Sequence, residues 1–328
     1  MNKPQPKVIV GIPVYNGEEF IHRAIDSVLS QTFVDFEIII SDNASTDSTS
    51  DICNEYVKKD NRIKYISQKE NNGGMWNFLF LLGFAKSDYF VWLAADDYWS
   101  PDFLEKNVNI LESDKKIVAS VGKIEPFGEN YDEFKNDHSD KTIEKNYKKI
   151  RRHYRPHHYH SVSGSYEKRI GSCLKHSTYY LFFYALFRTE ILFKGFELIW
   201  DEKKFGKFDT HTFVKQKGLG EWAEEHIFAR QLPLISLRFG GIHVVDEIMS
   251  YRYTAGTSGK NKNIITEYLQ GEIGLKNMFF SKIPFIKWCW RSLGKKVFLK
   301  NMYYFTKLGL GNTNFVGISL IRYLIGQR

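Results

Sequence analysis

The sequence predicts an α/β protein built on a doubly wound, mostly parallel sheet flanked by helices, followed by a basic, aromatic C-terminal helical extension. Three observations carry this expectation. Apolar runs short enough for strands alternate with helix-period segments over the first 125 residues. Each early apolar run ends in a polar cluster, as strands do where a sheet meets its ligand. The last 58 residues hold ten Lys or Arg against one acid, Glu272, so the remaining 270 residues are nearly neutral although the chain carries +8.

Val8-Ile9-Val10-Gly11-Ile12-Pro13-Val14 is apolar on both faces and reads as a central parallel strand. Asn16 is placed to cap a helix with Glu19 reaching back, and Phe20, Ile21, Ala24, Ile25, Val28 and Leu29 recur at helical spacing behind it. Phe36 to Ile40 predicts a second strand, Asp42 to Asp47 a polar turn, and Ile52, Tyr56 and Val57 a second helix. A more exposed strand over 62–67, a helix over 75–85 and a strand over 88–93 follow, with Pro101 where the next helix starts.

Between 126 and 178 the periodicity fails, which predicts a mobile loop or insertion. Regular elements return over 179–260: an aromatic run from Tyr179 to Phe187, an acidic helix near 221–232 and a strand from Ile242 to Tyr253. Residues 1–260 are thus expected to form one domain, with 261–328 as the extension. That extension interleaves its cations with Phe279, Phe280, Phe285, Trp288, Trp290, Phe298 and Tyr303 without an apolar run long enough to cross a bilayer. It reads as a segment lying on an anionic membrane surface, or as a helical cap packing its aromatics on the domain. No nucleic-acid motif accompanies the charge. Three widely spaced cysteines suggest neither a disulfide framework nor a zinc site, and no secretory leader precedes Lys7, so the expected location is the cytoplasm, peripheral at the inner face of the membrane.

Asp96 and Asp97 follow the fourth strand and two small residues. Adjacent carboxylates are hard oxygen ligands suited to Mg2+ or Mn2+, although an Asp before Pro101 also suits a helix N-cap. Asp42 either contacts a ligand or organises an Asx turn through Thr46. His153, His157, His158 and His160 lie among tandem bases without a cysteine and read as a solvated loop.

Taken together, Val10 to Asn16, Ile40 to Asp47, Asn71-Asn72-Gly73 and Leu93 to Pro101 resemble, in order and spacing, the family 2 glycosyltransferases of the GT-A fold. The resemblance covers roughly residues 7–125. It implies that Pro13, Tyr15 and Asn16 line a nucleotide pocket with Asn43 and Gly73, that Asp42 contacts the base, that Asp96 lies near the ribose or sugar, and that Asp97 holds a divalent Mg2+ or Mn2+. It further implies an inverting transferase whose general base opens a helix in the second half. Gly220 to Arg230 resembles that element with Glu224-Glu225 where Glu-Asp is more usual, so the base is Glu225 or Glu224, unless both only complement the helix dipole. Arg252, in a segment similar to the family's closing strand, either neutralises the departing diphosphate or serves as a salt-bridge partner.

The implied donor is a nucleotide sugar, UDP being the commonest carrier in the family. The implied acceptor is a glycan or lipid-linked oligosaccharide. Absence of Q-x-x-R-W after the acidic helix points to one sugar per encounter. A nucleotidyltransferase would need cations in the first loop. Dehydrogenase and kinase readings lack G-x-G-x-x-G and G-x-x-x-x-G-K-[ST]. The rival from another class is a non-catalytic binding protein on a decayed transferase scaffold.

Overall fold

The computed structural model describes residues 5–128, 160–176, 181–210, 212–219, 228–253 and 289–304. Among these, β1 (Val8–Val14), α1 (Ile21–Leu29), β2 (Phe36–Asp42), α2 (Thr49–Lys59), β3 (Ile63–Ser67), α3 (Gly74–Leu82), β4 (Tyr89–Trp92), β5 (Tyr98–Trp99), α4 (Phe103–Ser113) and β6 (Ile117–Phe127) succeed one another as the alternating pattern requires. They are followed by α5 (Tyr166–His176), β7 (Leu186–Arg188), α6 (Thr189–Ile199), α7 (Glu202–Phe205), α8 (Phe228–Ser236), β8 (Gly241–Tyr253) and α9 (Lys295–Lys300).

The strands form one sheet in the order β3-β2-β1-β4-β7-β6-β8-β5. β3, β2, β1 and β4 run parallel, β7 is antiparallel to both its neighbours, and β6 pairs parallel with β8. Period-two alternation divides the side chains of the central strands between two cores. Val8, Val10, Ile12 and Val14 face one layer with Ile38 and Ile40, whereas Ile9 and Ile39 face the other. α1, with Ile21, Ala24, Ile25 and Val28 on one stripe, and α4 cover the first layer; α3, α5, α6 and α8 cover the second. Ile21, Ile25 and Val28 are fully buried, each worth about 1.5–3 kcal/mol.

Several expectations need correction. Asn16 does not cap α1. The N-cap is Phe20, without a side-chain bond, because Asn16 and Glu18 turn instead toward the loop after β2. The described part of 126–178 is ordered structure: β6 continues to Phe127, and α5 buries Ile170, Cys173 and Leu174 in the core. In the extension, Cys289, Leu293 and Val297 are buried in that same core, so the described residues 289–304 dock on the domain through one face. The rest of 254–304 and all of 305–328 lie outside the described residues. Likewise α8 enters the description only at Phe228, and Glu224 and Glu225 lie outside it. No helix among the described residues is long and apolar enough to cross a membrane.

Candidate active site

The register Val14↔Asp42 sets the carboxyl ends of β1 and β2 level, and Leu93 N–H donating to the Gly11 carbonyl (3.0 Å) brings the β4 end alongside. Three loops therefore meet at one edge of the sheet. The first two are stitched together. Asn16 Oδ1 accepts from the Thr46 N–H (2.8 Å), Gly17 N–H donates to Thr49 Oγ1 (2.8 Å), and Glu18 N–H donates to Asp47 Oδ2 (3.1 Å). Asn16 and Ala44 adopt positive φ here, 50° and 63°, a strained conformation typical of ligand-binding edges. Tyr15, 48% exposed, presents its ring at the same edge.

Asp42 is 1% exposed; its Oδ1 accepts from the Ser45 N–H (2.8 Å) and its Oδ2 from the Tyr65 hydroxyl (2.6 Å). The Asx turn is thus real, and each oxygen keeps a second lone pair for a further donor. Burial and Asp42 together push the Tyr65 hydroxyl well above its ordinary pKa, so it stays a donor. Asn43 is engaged within the loops: Nδ2 donates to Asn71 Oδ1 (2.7 Å) and the Gly73 carbonyl (3.2 Å), while Oδ1 accepts from the Asn72 N–H (3.0 Å). Its work is to hold Asn71 to Gly73, where Gly73 takes a φ of 89° that a side chain would resist. Pro13 is buried in β1 opposite Ser41. Asn77, also buried, ties the β1 and β2 ends by donating to the Val14 and Ser41 carbonyls (3.3 and 2.8 Å).

The acidic pair separates into two roles, and this changes the expected assignment. Asp97 is 7% exposed and each of its oxygens is engaged by the closing strand: Oδ2 accepts from Arg252 Nε (3.1 Å) and Oδ1 from the Tyr253 N–H (3.0 Å). Burial pushes its carboxyl pKa up, against the Arg252 guanidinium and the Tyr253 N–H. A cation placed on Asp97 would meet that guanidinium, which itself lies over the Tyr184 ring at 4.0 Å. Asp97 therefore does not fit a metal, and Arg252 is its salt-bridge partner. Asp96 is half-buried, and among the described residues its carboxylate receives no hydrogen bond from another residue. Burial, and secondarily the charge of Asp97, pushes its pKa up to about 6, while Arg252 and Arg23 pull it back. One such carboxylate, completed by phosphate oxygens and water, suits Mg2+ or Mn2+. Among the described residues no group of three acids, His or Cys is gathered for a metal; His160 instead contacts Ser172 (3.0 Å).

Sequence reasoning missed Arg23. On α1 it falls in the polar stripe of an amphipathic helix and looks like a surface cation. In the fold it donates through Nη2 to the Asp96 carbonyl (3.2 Å) from inside a box of Phe127, Tyr98, Phe20 and Tyr253, whose ring centroids lie 4.4 to 6.0 Å from the guanidinium carbon. Tyr65 and Tyr184 were missed as well. The motif spacing that finds a strand end says nothing of which neighbour leans on it.

The sequence profile of glycosyl transferase family 2 matches residues 9–171. A Haemophilus influenzae protein described as an uncharacterized glycosyltransferase is 38% identical over 120 residues, 37% of each chain. The putative teichuronic acid biosynthesis glycosyltransferase TuaG of Bacillus subtilis is 37% identical over 111 residues, 34% of this chain and 44% of that one. The alignments thus span less than half the length of these relatives. Among solved structures, S. aureus TarS 1-349 in complex with UDP superposes with a TM-score of 0.51 at 16% identity, covering 98% of this chain and 92% of that one, a likeness in fold of the GT-A type.

Proposed function

Since the chain carries a glycosyl transferase family 2 domain over residues 9–171, we propose that it transfers a single sugar from a nucleotide-sugar donor to a hydroxyl of a glycan acceptor, with inversion. The observation that carries this reading is the convergence of Asp42, Tyr15 and the free carboxylate of Asp96 at one sheet edge. Asp42 supplies buried acceptor oxygens for a nucleobase N–H, Tyr15 a ring face for the base, and Asp96 a hard oxygen for a cation that would accompany the diphosphate. A divalent cation bound at Asp96 would neutralise charge building on the leaving diphosphate. Glu225, or Glu224 beside it, takes the proton of the acceptor hydroxyl as its oxygen attacks C1; the C1–O bond to the diphosphate breaks with its electron pair going to the leaving group. Uridine diphosphate is the carrier expected most often in the family.

The name of the TuaG relative, a teichuronic acid biosynthesis protein, supports an acceptor within an envelope polysaccharide. The basic aromatic extension supports a lipid-linked form of it and work at the cytoplasmic face of the membrane. The test is a thermal-shift panel of UDP-, GDP- and dTDP-sugars with and without Mn2+, on wild type and Asp96→Asn, followed by donor hydrolysis with Glu225→Gln and Glu224→Gln. A metal-dependent shift for one nucleotide class, lost in Asp96→Asn, is expected. Clean nucleotide binding with no turnover in wild type would instead favour the non-catalytic reading.

A further inference from the structure

We propose that the cleft between α5 and α9 seats the phosphate of an anionic lipid headgroup, and that these two helices together form the face by which the protein lies on a bilayer. The inference rests on the membrane location proposed above and assigns it to a surface that the extension shares with α5, a helix outside it.

The cleft, about 550 Å3, is lined by Lys168 and Lys175 of α5 and by Lys300, Asn301 and Tyr304 of the C-terminal segment, with Ser172 between. Lys168 and Lys175 are two helical turns apart and so share a face. α9 is brought against them by its buried side. Leu293 and Val297 enter the core, and Asn301 Nδ2 donates to the Glu167 carbonyl (3.2 Å). Gly171 permits this approach, since a Cβ there would stand 2.5 Å from Asn301 Oδ1.

None of Lys168, Lys175 and Lys300 is in salt-bridge contact among the described residues; Glu167 also lines the cleft, where it faces Lys296 at 3.8 Å and feels the charge of Lys300. Three lysines against one acid thus leave net cationic charge on a cleft also lined by Ser172, whose hydroxyl contacts His160, and by Tyr304, and clustered ammonium groups are the chemistry that holds a phosphate. The outward side of the same segment exposes Leu299 (55%), Met302 (53%) and Tyr303 (71%) beside Lys295, and residues 289–304 contain no acid. A site for free phosphate has no use for exposed apolar side chains on the same segment. A bilayer surface takes both, with lysine stems running along the apolar groups and their ammonium heads at the headgroups.

Flotation of the full chain with phosphatidylcholine vesicles, with and without phosphatidylglycerol, tests this. The wild type is expected to partition onto the anionic vesicles only. K168E/K175E, which leaves the extension intact, should lower partitioning at least about twentyfold, at roughly a factor of five per lysine near the surface. M302S/Y303S should lower it with charge unchanged. Wild-type chain that stays with the unbound fraction would overturn the proposal, as would K168E/K175E floating like wild type. So would an unaltered M302S/Y303S whose vesicle binding inorganic phosphate competes away, which would leave an anion site and no membrane face. A nucleotide-dependent thermal shift retained by both variants certifies their fold and separates the two readings. A wild type that shows the nucleotide shift and does not float sinks this proposal alone, whereas a wild type that floats without any nucleotide shift sinks the transferase reading alone.

Discussion

Asp97 and Arg252, 155 positions apart, form an ion pair of 3.1 Å buried at the junction of the β4 loop and the end of β8, with the guanidinium lying on Tyr184. The pair fastens the closing strand to the edge of the sheet where the acidic loop sits. Removing one partner strands a charge in a poorly hydrated place. Asp97→Ala is therefore expected to cost about 3–5 kcal/mol in urea denaturation. Arg252→Lys should cost less, because charge survives while the planar contact with Tyr184 is lost. An Asp97→Ala protein as stable as wild type would return Asp97 to the list of free metal ligands.

Asp96 stores the opposite bargain. Its carboxyl pKa, about 6 in the folded chain against an ordinary 3.8, means that the folded state holds more protons than the unfolded one between these values. Stability therefore falls as pH rises through that window, and the penalty is complete above it. Asp96→Asn escapes the penalty. It should melt higher than wild type at pH 7.5, with the gap closing toward pH 4, while losing metal-dependent donor binding. In wild type the same binding should weaken below about pH 6, where the proton competes for the carboxylate.

Tyr65→Phe removes the hydroxyl that holds Asp42 Oδ2 at 2.6 Å. A hydrogen bond to a charged group is worth about 1.5–3 kcal/mol. The melting temperature should fall by roughly a few degrees, and donor dissociation constants, measured by calorimetry well below it, should rise roughly tenfold. Unchanged affinity would remove Asp42 from the nucleobase contact.

Arg23→Met takes a cation from beside Asp96 and a donor from its carbonyl while keeping the stem in the aromatic box. Losing a nearby positive charge raises a carboxyl pKa, so the acid limb of metal-dependent donor binding should move to higher pH. Arg23→Lys should restore much of that limb. A merely structural Arg23 would lower stability in both variants and leave the profile in place.

Much of this was legible in the chain itself. Strands as continuously apolar as Val8 to Val14 have one physical destination, a sheet covered on both sides, and Asp42 and Asp96 could be placed because they end such runs. Asn16 misled because a capping box needs only the right residues three apart, and the competing partner, the Thr46 N–H, is 30 positions away. α5 was hidden because its apolar residues are few and its neighbours charged; it is helical by virtue of the core it covers.

What the sequence by itself determined is the order of elements, the sheet edge that carries the site and the residue types gathered there, since these follow from periodicity and from where polar clusters interrupt it. Only the tertiary structure decided which carboxylate is free. Asp96 and Asp97 are chemically identical neighbours, and the difference between them is the strand that returns from residue 241 to 253 and directs the hydrogen bonds of Arg252 Nε and the Tyr253 N–H to the Asp97 carboxylate.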